Sequence, residues 1–258
     1  MSIMELLEPV GRDGVQTLPH AENWMQGRTF YGGASTLIAY TDAQRRIGDL
    51  PPLRGAQVDF VAPVGGEVET RSEIIRQGKS VTHVRSDILC GGKLALTAIF
   101  LFGAAREPNA VHPGPQVEDI ANGYDSGEPV PGPKEGKHFI QNYEIRRAQE
   151  LQGSGPPLVR RWFRLKEPHD LDPMAELILV GDTLPPGSMR AMQRQGPLSS
   201  INWSFNFLDP NPSTTDGWYL AETASQWADE GFSSERLRLW NADGRQLLDG
   251  IQCAAIFG

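Results

Sequence analysis

The periodicity of apolar and polar positions changes several times along the chain, and each change marks an element. After a polar lead-in, YGGASTLIAYTDAQRR (31–46) carries Ala34, Leu37, Ile38 and Thr41 at helical spacing behind a glycine pair, which predicts a first helix. From residue 57 strand-like segments take over: QVDFVAP (57–63), EVETRSEIIRQG (67–78), SVTHVRSDILC (80–90), a Gly91-Gly92 turn, and LALTAIFLFG (94–103). Residues 104–137 are rich in Pro, Gly and acids and read as a surface linker. Two more strand candidates follow, HFIQNYEIRRA (138–148) and LVRRWFRLKEP (158–168). Asp172-Pro173, an N-cap residue followed by proline at the first helical position, then introduces MAELILVGDTL (174–184). That helix is apolar on nearly every side, so it must be buried all round. Strand segments return at 199–210, 217–231, 232–244 and 245–258.

The two halves echo one another. Phe60-Val61-Ala62-Pro63 matches Phe207-Leu208-Asp209-Pro210, QGKS (77–80) matches EGFS (230–233), Gly92 matches Gly244, and Phe102-Gly103 matches Phe257-Gly258, all at an offset of about 150 residues. A duplicated unit of helix plus antiparallel meander, with a helix that needs cover on all sides, predicts the hotdog arrangement twice over. The expected class is α+β: a double hotdog with two antiparallel sheets, each wrapped around a long central helix. The expected division is 1–103, linker 104–137, and 138–258.

Composition narrows the function. The chain has 258 residues, 39% hydrophobic and 22% charged, with a net charge of -8. That charge opposes the nucleic-acid backbone, so no nucleic-acid partner is expected. The opening residues lack a signal-peptide pattern and no segment reaches membrane-span length, so a cytoplasmic location is expected. Cys90 and Cys253 show neither a disulfide framework nor zinc-ligand spacing. No metal or other cofactor is expected.

The segments GRTFYGGA (27–34), VDFVAPV (58–64), QGKSVTHVRSDI (77–88), GDTLPP (181–186), SSINWSFNFLDP (199–210), WYLAETASQWADEGF (218–232) and DGIQCAAI (249–256) together resemble the TesB-like acyl-CoA thioesterases (thioesterase II). The resemblance implies hydrolysis of acyl-CoA to free acid and CoA by an Asp, a Ser/Thr and a Gln that position a water. Carried onto this chain, the Asp place falls on Asn202, the hydroxyl place on or beside Ala224, and the Gln on Gln252. Asn202 departs from the pattern, because an amide can hold a water but cannot take its proton. The hydroxyl survives one residue away on Thr223 or Ser225, which share the strand face opposite Ala224. Gly32 and Gly33 offer backbone N–H groups to the substrate carbonyl, or simply allow helix and sheet to approach closely. Loss of the carboxylate keeps a second function open, a non-catalytic acyl-CoA or acyl-carrier binding protein. No G-x-S-x-G elbow and no Asp/His pair of the dehydratase type occurs. Unpaired sheet edges lead to the expectation of a homodimer or larger homo-oligomer.

Overall fold

The computed structural model describes residues 1–19, 21–117, 120, 122–132, 138–149, 155–194 and 196–257. The first half comprises α1 (Ile3–Leu7), β1 (Val15–Thr17), β2 (Met25–Gln26), β3 (Thr29–Phe30), α2 (Gly32–Ile47), β4 (Leu53–Phe60), β5 (Glu67–Gln77), β6 (Val81–Cys90) and β7 (Lys93–Gly103). The second comprises β8 (Tyr143–Arg147), β9 (Leu158–Leu165), α3 (Pro173–Gly181), β10 (Leu198–Phe207), β11 (Tyr219–Asp229), β12 (Phe232–Asn241) and β13 (Gln246–Ile256).

Short-range chemistry sets these boundaries. At the β6–β7 turn Gly91 and Gly92 have φ of 57° and 72°, a left-handed pair that residues with a side chain rarely adopt. Asp172 caps α3 through Oδ1, which accepts from the N–H groups of Met174 and Ala175 at 3.0 Å each. Leu177, Ile178, Leu179 and Val180 are fully buried, as an all-round apolar helix requires.

The sheets differ from the expectation. Among the described residues the two expected large sheets are one sheet of eleven strands, in the order β1-β5-β6-β7-β4-β10-β13-β12-β11-β9-β8, beside a small two-stranded β2-β3 sheet. The seam is the antiparallel pairing of β4 with β10, where Gln57 lies opposite Ser204. These are the strands that end in the repeated Phe60 and Phe207 motifs, so the repeat meets itself across a backbone ladder. The edges of the two meanders satisfy each other's N–H and C=O groups, which is why the sheets merge. The helices are also unequal: α2 has 16 residues and α3 only 9. Pro185 and Pro186 lie shortly beyond the end of α3 and rule out a longer helix there. On the inner face α2 packs on β5, β6 and β7, α3 packs on β11, β12 and β13, and the helices pack on each other.

The stretch read as a linker does more than connect, where it is described. Val117, Ile120 and Tyr124 pack on the outward-facing Trp162, Trp218, Leu220 and Trp240. Asn122 accepts the Trp162 indole N–H through its carbonyl at 2.9 Å. Covering those indoles keeps a large apolar patch out of water. Among the described residues, no helix is long and apolar enough to cross a membrane.

Candidate active site

α2 and α3 run antiparallel. The start of α2 lies against the end of α3, since a Cβ on Gly33 would sit 2.5 Å from the Leu179 carbonyl oxygen and 3.2 Å from that of Ile178. Asp182 is the first residue beyond α3. Gln252, on the inner face of β13 and 4% exposed, donates from Nε2 to Asp182 Oδ1 at 2.9 Å. Dense surroundings strip water from the Asp182 carboxyl and push its pKa from 3.8 up to about 7, with the Gln252 hydrogen bond pulling the other way. The second oxygen, Oδ2, faces the first turn of α2, where a Cβ on Gly32 would lie only 2.0 Å from it. Glycine at 32 is therefore what lets carboxyl and helix start meet.

That helix start is open. The N-cap of α2 is Tyr31, whose side chain makes no capping bond, so the leading N–H groups keep their donor capacity and the positive end of the helix dipole. The start of α3, by contrast, is closed by Asp172. The segment after Asp182 is fastened to the sheet at several points. Glu235 on β12, fully buried, accepts from the N–H of Gly187 at 2.9 Å and of Ser188 at 3.3 Å. Ser188 and Ser233 share a hydroxyl hydrogen bond of 3.1 Å.

The residues expected from sequence fall in different places. Gln252 is at the site, and Gly32 and Gly33 form its helical wall. Thr223 is buried on the inner face, and its hydroxyl donates to the Pro185 carbonyl at 2.7 Å, which fastens the Asp182 segment. Ser225 is partly exposed and donates to the Trp227 carbonyl at 3.2 Å, beside a register shift in β11. Asn202 is not brought to Gln252. It lies exposed on the outer face, where Oδ1 accepts the Cys253 N–H at 2.9 Å. Its neighbour Trp203 is the residue registered against Gln252 and turned inward, as strand alternation demands. Asp182, the buried carboxyl bonded to Gln252, was not singled out from sequence. Its one local signal is an acidic residue directly after a largely apolar helix. An open cleft of 470 Å³, lined by Glu144, Arg164, His169 and Glu176 among others, lies beside the first turn of α3 instead, away from Asp182.

The fold places the chain among the hot dog proteins. A protein of unknown function with a hot dog fold from Alicyclobacillus acidocaldarius superposes with a TM-score of 0.85 at 18% identity, covering 100% of this chain and 98% of that one. The chain belongs to the acyl-CoA thioesterase family: residues 20–103 match its N-terminal domain and residues 120–256 its C-terminal domain. A proposed thioesterase II from Thermobifida fusca is similar at TM-score 0.79 and 17% identity, over 100% of both chains. The acyl-CoA thioesterase II TesB2 of Mycobacterium marinum is similar at TM-score 0.73 and 17% identity, over 98% of this chain and 97% of that one. No curated protein matches the chain significantly.

Proposed function

We propose that the chain hydrolyses acyl-CoA thioesters, with Asp182 as general base, Gln252 holding that carboxyl in place, and the open start of α2 receiving the charge that develops on the carbonyl oxygen. One observation carries the reading: a buried carboxyl of raised pKa is clamped by an inward Gln against an uncapped helix N-terminus. A base works best when its pKa lies near the working pH, and burial supplies that here. In the first step the water oxygen bonds to the thioester carbon while its proton passes to the free Oδ2 of Asp182. The carbonyl oxygen becomes an oxyanion, and the N–H groups of the first α2 turn lie on the side where they can donate to it. Collapse of the tetrahedral species breaks the C–S bond, and the proton on Asp182 passes to the leaving CoA thiolate. The products are the free acid and CoA, and the base is restored.

The test is CoA release from acyl-CoAs of graded chain length, for wild type and for Asp182→Asn. Hydrolysis that the variant loses supports the reading. Binding of acyl-CoA without CoA release would favour the non-catalytic binding protein instead. Activity retained in full by Asp182→Asn would mean that another group is the base.

A further inference from the structure

We propose that Tyr31 is a positioning residue for this reaction, its hydroxyl setting the spacing between the Asp182 carboxyl and the first turn of α2. The inference rests on the reading of Asp182 given above. Tyr31 belongs to both elements at once. Its backbone is the N-cap of α2, while its hydroxyl donates to the carbonyl of Leu179 in the last turn of α3 at 2.8 Å. The last carbonyls of a helix have no donor within it, so this bond caps α3 from the neighbouring helix. Leu179 lies three residues before Asp182.

The side chain is held firmly. Its ring is fully buried and stacks on Phe139 at a centroid distance of 4.0 Å and an angle of 14°. The Tyr143 hydroxyl lies 2.7 Å from the Tyr31 hydroxyl. A hydroxyl has one proton to give, and Tyr31 gives it to Leu179, so Tyr143 must donate to the Tyr31 oxygen. The chain of bonds thus runs Tyr143 to Tyr31 to Leu179 with one direction, and burial holds both phenols protonated by raising their pKa values. Gly33 completes the clamp, because any side chain there would push the Leu179 carbonyl away from the helix start. Tyr31 and Gln252, two of the groups that bear on the Asp182 carboxyl, are neutral. Glu235, opposite Gln252 across the strands, spends both oxygens on backbone N–H groups. Removing the Tyr31 hydroxyl should let α3 drift from α2 and admit water to the carboxyl without altering any charge nearby.

The experiment compares wild type, Tyr31→Phe and Tyr143→Phe in the full chain, measuring kcat, KM and melting temperature from about pH 5 to about pH 9. The expected result for Tyr31→Phe is a kcat lower by about tenfold or more with KM little changed, as misplacement of a reacting group produces. The midpoint of its acid limb should move below that of wild type, toward ordinary carboxyl values. Tyr143→Phe keeps the Tyr31 to Leu179 bond, so it should lose melting temperature but keep the wild-type midpoint. Wild-type kcat and midpoint in Tyr31→Phe, at any melting temperature, would overturn the inference while leaving Asp182 as the base. Loss of the base reading itself would show separately, as full turnover in Asp182→Asn. Should Tyr31→Phe not fold, 3-fluorotyrosine at position 31 keeps the hydroxyl and supplies a fluorine signal. That signal should titrate with the kinetic acid limb, and a signal constant through that limb would equally overturn the inference.

Discussion

Asp182→Asn separates catalysis from stability, and the two should move in opposite directions. Asparagine at 182 keeps an oxygen to accept the Gln252 N–H but can neither ionise nor take a proton. The folded protein holds the Asp182 proton more tightly than the unfolded chain does, with a pKa of about 7 against 3.8. Its contribution to stability is therefore fully present below about pH 4 and is lost as pH rises through about 7. The loss corresponds to about 4 kcal/mol at alkaline pH, reduced to about 2 to 3 kcal/mol if the α2 amides favour the anion by a typical helix-terminus amount. The variant escapes that loss. Urea unfolding should show the two proteins about equally stable near pH 4, with Asp182→Asn ahead by about 2 to 4 kcal/mol at pH 8. CoA release by the variant should fall by two orders of magnitude or more, the usual worth of a positioned base. A stability difference that does not change between those pH values would refute a buried, titrating Asp182.

Four further substitutions probe the surroundings. Gln252→Ala removes the bond that holds the Asp182 pKa down, so the acid limb of kcat should move to higher pH and turnover at neutral pH should fall; stranding the carboxyl should cost about 1 to 3 kcal/mol in a denaturant titration. Gly32→Ala should abolish most activity, since its Cβ would occupy space now held by Asp182 Oδ2, while Gly33→Ala should lower the melting temperature because its Cβ meets backbone carbonyls that cannot swing aside. Asn202→Asp should leave kcat unchanged, because that side chain lies exposed on the outer face; a faster enzyme would show that the carboxyl of the reaction belongs there and not at 182.

The long elements were legible because each repeats its pattern over many residues. The helix at 31–46 and the meander strands of both halves appear where periodicity places them, and Asp172-Pro173 starts α3 as its chemistry requires. The elements that escaped are short: α1 spans 5 residues and β1 spans 3, too few to show a period. The docking of Val117, Ile120 and Tyr124 escaped for another reason. Trp162 alternates with Phe163 on one strand, and nothing local says which indole a distant segment will cover. Gln252 was visible as a lone amide among apolar neighbours. Asn202 was found by counting along the strand, and counting does not say which way a residue faces. Asp182 becomes part of a site only when two helices and β13 meet around it, and that meeting is tertiary.

The contrast between the two helix starts has a consequence for stoichiometry. A pair of identical hotdog units related by a twofold axis would own two equivalent inter-helix sites, each with an open helix start facing an acid. In this fused chain the start of α2 is open while Asp172 closes the start of α3, so the symmetry of the backbone is not a symmetry of chemistry. On the proposed reading one half lends the donors and the other the carboxyl, while Asp172 caps the start of α3. Each polypeptide should then bind a single acyl-CoA at saturation, and the closed end is free to change in sequence without touching turnover.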